Sequence, residues 1–511
     1  GIVGYRKAQG RLFLLSAFFR KGDFFMSRIQ VEHLTFSYPS GWDTIFDDVS
    51  FQIDTDWRLG FVGRNGKGKT TFLRLLMGEY EYRGRILSSV PFDYFPYAVA
   101  DPGRPTAEVL QSVCPQAAAW ELLRELSCLE VRADVLQRPF ETLSNGERTK
   151  ALLAALFLNE GRFLLIDEPT NHLDAKARAV TAAYLQRKKG FILVSHDRRF
   201  LDACVDHILS LNRADIEVQS GNFTSWMENF ENRQASELAQ NERLQSDIKR
   251  LKQAAARTAV WSDRVEASKA GSADKGYVGH KAAKMMKRSK FIEARQQKAV
   301  EEKSGLLKNI ERAEPLKLSP LRYHSERLAA FDEVAVSYDG VPVCGPLSFE
   351  IRQGDRIALA GKNGSGKSSL LKLLTGAPVP HSGTVSVGSG LVISYVPQDA
   401  SHLQGLLSDY AREHRLDESL FKAILRKLDF ERVMFEKDIR DFSGGQKKKV
   451  LLAGSLCERA HLYIWDEPLN YIDVYSRMQL ENLIRAFGPT MLFVEHDAAF
   501  LEATATKTVR L

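Results

Sequence analysis

Gly63-Arg64-Asn65-Gly66-Lys67-Gly68-Lys69-Thr70 and Gly361-Lys362-Asn363-Gly364-Ser365-Gly366-Lys367-Ser368 both fit G-x4-G-K-[ST], and they stand 298 residues apart. An apolar run precedes each (Leu59-Gly60-Phe61-Val62; Ile357-Ala358-Leu359-Ala360) and a helical run follows (Phe72 to Leu76; Leu370 to Leu374). Strand, glycine loop, helix is the order that aims backbone N–H groups and a helix N-terminus at phosphates. Gly63, Asn65, Gly66 and Gly68, with Gly361, Asn363, Gly364 and Gly366, form the cradles, and Thr71 and Ser369 extend them. Lys69 and Lys367 are placed to reach β- and γ-phosphates, and the Thr70 and Ser368 hydroxyls to bind Mg²⁺. One such stretch alone can be a flexible turn, but two with matching partners downstream cannot be dismissed that way.

The repeat runs through the chain. Tyr38 and Tyr338 are 300 residues apart, Leu143–Glu147 and Phe442–Gln446 are 299 apart, Asp167-Glu168 and Asp466-Glu467 are 299 apart, and His196 and His496 are 300 apart. Five pairs nearly in register describe a duplicated domain, and recognising it settles the fold before any local detail does. Each carboxylate pair ends a continuous apolar run (Phe163–Ile166; Leu462–Trp465), the pattern of a parallel strand buried on both faces. The ends of such strands are where α/β sheets hold ligands. Asp167 and Asp466 suit a Mg²⁺ shell, while Glu168 and Glu467 suit the polarisation of an attacking water. His196 and His496 follow further apolar strands, where each can donate to a γ-phosphate oxygen.

The chain has 511 residues, with 44% apolar and 26% charged. At roughly 100–200 residues per domain, two to four domains are expected. No apolar run approaches the ~18 residues that a transmembrane helix needs. Five scattered cysteines, never in a CxxC pair, fit a reducing cytosol and argue against a disulfide framework or zinc ribbon. Residues 1–25 combine a basic start with Leu12–Phe19 but show no small-x-small cleavage site, and Met26 opens a strand-like stretch. Residues 1–25 are therefore expected to be a non-native or leader extension.

In this order the motifs resemble the ABC ATPase family, over nearly the whole chain from Met26. The decisive element is the signature Ser443-Gly444-Gly445-Gln446, with the variant Ser144-Asn145-Gly146-Glu147 in the first half. The resemblance implies an α/β fold of two P-loop ABC ATPase domains that pair head to tail within one monomer. Each ATP, with Mg²⁺, would lie between one half's phosphate loop and the other half's signature. Site 1 would use Lys69, Thr70, Asp167, Glu168 and His196 with Ser443–Gln446. Site 2 would use Lys367, Ser368, Asp466, Glu467 and His496 with Ser144–Glu147. Tyr38 and Tyr338 match the aromatic that stacks on adenine, and Asp174 and Asp473 match the loop that crosses the interface. Gln398 matches a glutamine that contacts Mg²⁺ and the lytic water. The equivalent residue in the first half is Tyr97, a departure that bears on hydrolysis at site 1, but with Glu168 and Glu467 both present two competent sites are expected. Glu147 adds a carboxylate near phosphate.

Between the repeats (domains 26–225 and 321–511), residues 226–320 form an insert without proline from Ser225 through Glu314. Apolar residues recur at helical spacing (Leu244, Ile248, Leu251, Ala255; Ile292, Ala299, Leu306, Ile310, Ala313), which predicts an antiparallel helical hairpin. Such helices reach on the order of 50–60 Å. Residues 231–314 carry 19 Lys/Arg against 12 Asp/Glu, a net of +7 that equals the net charge of the whole chain. A basic rod of this length is suited to following phosphates. The candidate RNA contacts are Lys249, Arg250, Lys252, Arg257, Lys275, Lys281, Lys284, Lys287, Arg288 and Lys290. Trp261 and Tyr277 are equally placed to stack on bases or to pack inside the hairpin.

Two ATPase halves joined by such a hairpin resemble the ABC-F proteins, and the insert is most similar to the antibiotic-resistance branch, Lsa-type proteins in particular. The resemblance implies a cytoplasmic protein that enters the E site of the bacterial 70S ribosome. Its hairpin would displace P-site tRNA and dislodge lincosamides, pleuromutilins and streptogramin A from the peptidyl-transferase centre of 23S rRNA, with no membrane subunit required. The alternatives are a housekeeping translation factor of the same family and the ATPase subunit of a drug exporter.

Overall fold

Alternating and continuous apolar runs sort the strands of each repeat into two kinds of sheet. The computed structural model describes residues 28–39, 44–212, 215–267, 316–338 and 340–511. In the first repeat β1 (Arg28–Ser37), β2 (Thr44–Asp54) and β4 (Arg83–Ser88) make an antiparallel sheet in the order β2-β1-β4. β1 alternates buried and more exposed residues along most of its length, as a sheet with one face on the core requires. The second sheet has the order β5-β6-β7-β3-β8-β9, from β3 (Arg58–Val62), β5 (Phe92–Phe95), β6 (Phe163–Asp167), β7 (Phe191–Val194), β8 (His207–Asn212) and β9 (Asp215–Ser220). Its first five strands are parallel, and β7 is buried throughout.

The second repeat reproduces the plan. β10 (Arg327–Tyr338), β11 (Val341–Arg352) and β13 (His381–Val387) form an antiparallel sheet. β12 (Arg356–Ala360), β14 (Ile393–Val396), β15 (Leu462–Asp466), β16 (Met491–Val494) and β17 (Lys507–Arg510) form a parallel one, in the order β14-β15-β16-β12-β17. Register brings the site together. Asp167 and Phe61 both pair with Val194, and Asp466 and Leu359 both pair with Val494. The phosphate loop, the carboxylate pair and the histidine thus leave the same edge of each sheet.

Helix α1 (Lys69–Leu76) follows the first loop, and Gly68 caps it with φ 108°. A Cβ on Gly68 would stand 2.5 Å from the Ile45 side chain, so only glycine fits. Helices α2 (Thr106–Val113), α3 (Ala119–Cys128) and α4 (Asn145–Leu156) pack together beside the sheets, and α4 opens on the variant signature. Helices α5 (Ala175–Gln186) and α6 (Arg198–Cys204) follow β6 and β7. The second half carries α8 (Lys367–Leu374), α9 (Leu407–Glu413), α10 (Glu418–Lys427), α11 (Gly444–Cys457), α12 (Val474–Phe487) and α13 (Ala498–Thr504). In chain order the first half is followed by α7, a single 45-residue helix, Phe223–Ala267.

The chain divides into two compact units: Gly1–Thr224 together with Glu314–Leu511, and Ser225–Ala313. Leu316 and Leu318 are buried in the second ATPase core with Tyr463 and Trp465, and the Leu321 N–H donates to the Ala460 carbonyl. The first helix of the expected hairpin is α7, on which Leu244 and Ile248 are half-buried and Lys249 and Arg250 exposed. Lys252, Arg257 and Trp261 lie on the same helix. Residues 1–25, the second helix and Lys275, Tyr277, Lys281, Lys284, Lys287, Arg288 and Lys290 lie outside the described residues.

Candidate functional site

At site 2 the two halves face each other across a cavity of about 1090 Å³. From the second half, Tyr338, Asn363, Gly364, Gly366, Lys367, Ser368, Ser369, Gln398, Glu467 and His496 line it. From the first half come Ser144, Asn145, Gly146, Glu147 and Asp174. Phosphate loop and opposite signature thus border one space. Lys367 donates to the Gly361 and Lys362 carbonyls at 2.9 and 2.8 Å, so the ammonium is held at the loop it serves. The Tyr338 hydroxyl lies 2.9 Å from Ser369 Oγ.

Glu467 leaves β15 with a left-handed backbone, φ 46°. Its Oε2 accepts from Gln398 Nε2 at 2.8 Å and from Asn470 Nδ2 at 2.7 Å. His496 Nε2 stands 3.6 Å from Oε1, too far for an ordinary hydrogen bond. Burial opposes ionisation of Glu467, but His496, Gln398 and Asn470 outweigh it and hold the carboxyl at about 2. Burial raises the Asp466 pKa, and the Ser368 hydroxyl pulls it back. Asp466 Oδ1 is buried without a hydrogen-bond partner. An unsatisfied carboxylate oxygen beside a hydroxyl fits a hard divalent cation. No group of three or more His, Cys, Asp or Glu side chains among the described residues could hold a metal. Mg²⁺ would thus be shared between Ser368, Asp466 and nucleotide phosphates.

Site 1 is built from the same motifs but is drawn together differently. Lys69 is buried, donating to the Gly63 carbonyl at 2.6 Å and the Arg64 carbonyl at 3.0 Å. Burial lowers its pKa, opposed by Asp473 of the second half and by Glu168 and Asp167. Asp167 Oδ2 accepts from Thr70 Oγ1 at 2.9 Å and from the Tyr94 hydroxyl at 3.0 Å. The Tyr38 hydroxyl lies 2.8 Å from Thr71 Oγ1. His196 Nε2 is 3.2 Å from Glu168 Oε1, yet neither Glu168 oxygen has a hydrogen-bond partner. Burial, then the neighbouring Asp167, push the Glu168 carboxyl up to about 8, against Arg477 and Lys69. Burial, with Lys69 and Arg477, drives His196 well below the usual histidine range. Both shifts favour the uncharged forms of the site 1 pair.

The signature helices explain the glutamate of the variant. Ser144 Oγ accepts from the Glu147 N–H at 3.3 Å, and Glu147 Oε2 accepts from the Ser144 N–H at 2.9 Å. Ser443 and Gln446 make the same capping box, at 3.3 and 2.8 Å. Glu147 therefore replaces Gln446 as a reciprocal cap, and its carboxylate turns back onto the helix start. Gly445 has its own constraint: a Cβ there would stand 2.5 Å from the Tyr471 carbonyl.

Tyr97 is not at site 1. It lines a separate cavity of about 800 Å³ with Asp93, Arg124 and Lys188. Its neighbour Tyr94 supplies the hydroxyl at Asp167 instead. Sequence reasoning also passed over Asn470, Lys449 and Arg477. Lys449 is buried 3.0 Å from Asp473 Oδ2, and Arg477 is buried 2.8 Å from Asp497 Oδ2 while acting on Glu168 in the other half. The 299-residue spacing to Lys150 and Arg178 was the available signal for the last two.

The family model for ABC transporters matches residues 46–171 and again 344–470, one match per repeat. The chain carries two tandem ABC ATPase domains. It is 29% identical to the Bacillus subtilis ribosome protection protein VmlR, over 92% of this chain and 84% of that protein. It is 27% identical to the Haemophilus influenzae energy-dependent translational throttle protein EttA, over 90% and 88%. The fold matches that of an archaeal ribosome recycling factor, aABCE1, solved with the ribosomal stalk protein aP1: TM-score 0.61, 19% identity, 94% of this chain and 87% of that one. No helix among the described residues of this tandem ABC ATPase is long and apolar enough to cross a membrane.

Proposed function

We propose that the chain is a cytoplasmic, ATP-hydrolysing ABC-F ribosomal protection protein of the antibiotic-resistance branch. In this reading its domains are 26–225 and 321–511, joined by the basic linker 226–320. The ATP-bound form occupies the E site of the 70S ribosome. Its basic helical linker then displaces P-site tRNA and dislodges lincosamides, pleuromutilins and streptogramin A. The observation that carries the reading is the site 2 cavity, bordered by both halves, in a chain whose insert concentrates a net charge of +7. The similarity to VmlR supports the protective role.

At site 2, Lys367 and the loop N–H groups bind the phosphates, and the N-terminus of α4 faces them from the other half. Ser368 and Asp466 would hold Mg²⁺, which would supply neutralisation of the phosphate charge. Glu467 is ionised at neutral pH and held by Gln398 and Asn470, so it is set to orient and deprotonate the attacking water. His496 is the donor toward a γ-phosphate oxygen.

The test is expression in a susceptible bacterium against a panel of peptidyl-transferase inhibitors. The expected result is raised tolerance to at least one of the three drug classes; unchanged tolerance to all of them ends the protective reading. The similarity to EttA favours a second reading, a translation factor that acts without drug. Cosedimentation of Glu168→Gln/Glu467→Gln with ribosomes, but no drug tolerance, would select it.

A further inference from the structure

The contacts between the two halves crowd at site 1, and the sequence does not allow its arginine–glutamate pairs to be copied at site 2. Asn65 Nδ2 donates to the Tyr471 carbonyl at 2.7 Å. Arg64 pairs with Asp429 at 3.2 Å and lies 5.6 Å over the Tyr475 ring. Just past His196, Arg198 and Arg199 at the start of α6 pair with Glu481 on α12 and Glu502 on α13.

At site 2 the counterparts of the arginine pairs hold other chemistry, and the remaining counterparts pair elsewhere. Alanines 498 and 499 replace the arginines, and Ala182 stands where Glu481 has its counterpart. Asp202, the counterpart of Glu502, accepts from the Thr224 N–H at 2.8 Å. Glu130, the counterpart of Asp429, pairs within its own half with Lys176 at 2.7 Å. Lys176 occupies the position equivalent to Tyr475. Lys362 and Asn363, equivalent to Arg64 and Asn65, line the open cavity instead. Among the described residues, the charge-assisted contacts at Arg64, Arg198 and Arg199 that bridge the halves therefore lie at the site 1 edge.

We infer that the ATPase pair opens as a one-sided hinge: the site 1 edge stays held, and nucleotide enters and leaves at site 2. This rests on the ATPase reading above and adds the division of labour. Site 1 retains its nucleotide while site 2 exchanges, and the ion pairs at Arg198 and Arg199 set the difference.

The test uses the full-length protein loaded with a fluorescent mant-ADP and chased with unlabelled ADP. Wild type should release it in two phases of similar amplitude, with rates about tenfold or more apart. Lys367→Ala should remove the fast phase. Arg198→Glu should speed the slow phase selectively, and the charge swap Arg198→Glu/Glu481→Arg should restore it. The swap keeps the test valid if the single variant folds poorly. One phase in wild type, loss of the slow phase in Lys367→Ala, or equal acceleration of both phases by Arg198→Glu overturns the hinge. Two phases without any phosphate release from ATP would instead remove the ATPase reading and leave the hinge standing.

Discussion

Asn65, in the first phosphate loop, donates its side-chain amide to the backbone carbonyl of Tyr471 in the second half, at 2.7 Å. Tyr471 itself has a left-handed backbone, φ 63°, which turns that carbonyl toward the loop. Asn65→Ala removes this bond and the weaker one that Asn65 Oδ1 accepts from Lys69 Nζ at 3.3 Å, about 1 kcal/mol each, and should lower the melting temperature by ~2–6 °C. Asn65→Asp should cost more, because a carboxylate oxygen facing a carbonyl oxygen adds repulsion. Differential scanning fluorimetry on both variants checks the order, and an Asp variant as stable as the Ala variant contradicts the contact.

Turnover should depend unequally on the two glutamates. Glu467 is ionised and held by two amide donors, whereas burial and Asp167 favour the protonated form of Glu168, which has none. Glu467→Gln is expected to lower phosphate release at pH 7 by about 10²-fold or more, the ordinary range for loss of a positioned general base. Glu168→Gln, which resembles the protonated acid already present, should change it less than about threefold. Equal losses in the two variants would mean that both sites hydrolyse at similar rates.

Stability should show the same asymmetry against pH. The Glu168 carboxyl titrates near 8 when folded, above its ordinary value of 4.5. Its share of stability is full below 4.5, falls as pH rises, and is gone above about 8. Glu467, held at about 2, contributes above 4.5 and loses that contribution as pH falls toward 2. Relative to wild type without nucleotide, Glu168→Gln should therefore gain in melting temperature between pH 5 and pH 8. Glu467→Gln should lose, with its deficit shrinking on acidification. A difference between Glu168→Gln and wild type that stays constant over that window would refute the buried, protonated state.

The phosphate loops, carboxylate pairs, histidines and signatures were legible because each is a contiguous stretch whose spacing matches a strand, a loop and a helix. The duplication was legible for the same reason. What escaped depends on partners far along the chain. Tyr97 sits where Gln398 predicts a role at the site, yet it turns into another cavity while Tyr94 reaches Asp167. Nothing local in Arg198 or Glu481 announces a pair that spans the two halves. Glu147 looked like a carboxylate for phosphate because its reciprocal bond to Ser144 needs a helix start to be seen.

That cap gives a sharp substitution test. Ser144→Ala removes the acceptor for the Glu147 N–H and should cost about 1 kcal/mol. Glu147→Gln keeps the reciprocal bond, as Gln446 does in the other half, and should leave the melting temperature within about 1 °C of wild type. If Glu147→Gln destabilises as much as Ser144→Ala, the carboxylate charge matters beyond the cap.

The last prediction concerns the insert, where charge and function meet. Phosphate contacts release counterions, so ribosome binding through a basic rod should weaken steeply with salt. Lys281, Lys284, Lys287, Arg288 and Lys290 form a run without an acid. Changing all five to Gln should weaken association of the Glu168→Gln/Glu467→Gln protein with 70S particles. It should also flatten the slope of log K against log salt, by about 0.7 for each residue that contacts single-stranded phosphate and about 0.9 for each on a duplex. Sedimentation at several salt concentrations reads both quantities. An unchanged slope with weaker binding would point to packing by this run rather than phosphate contact, and an unchanged affinity would take RNA binding away from it.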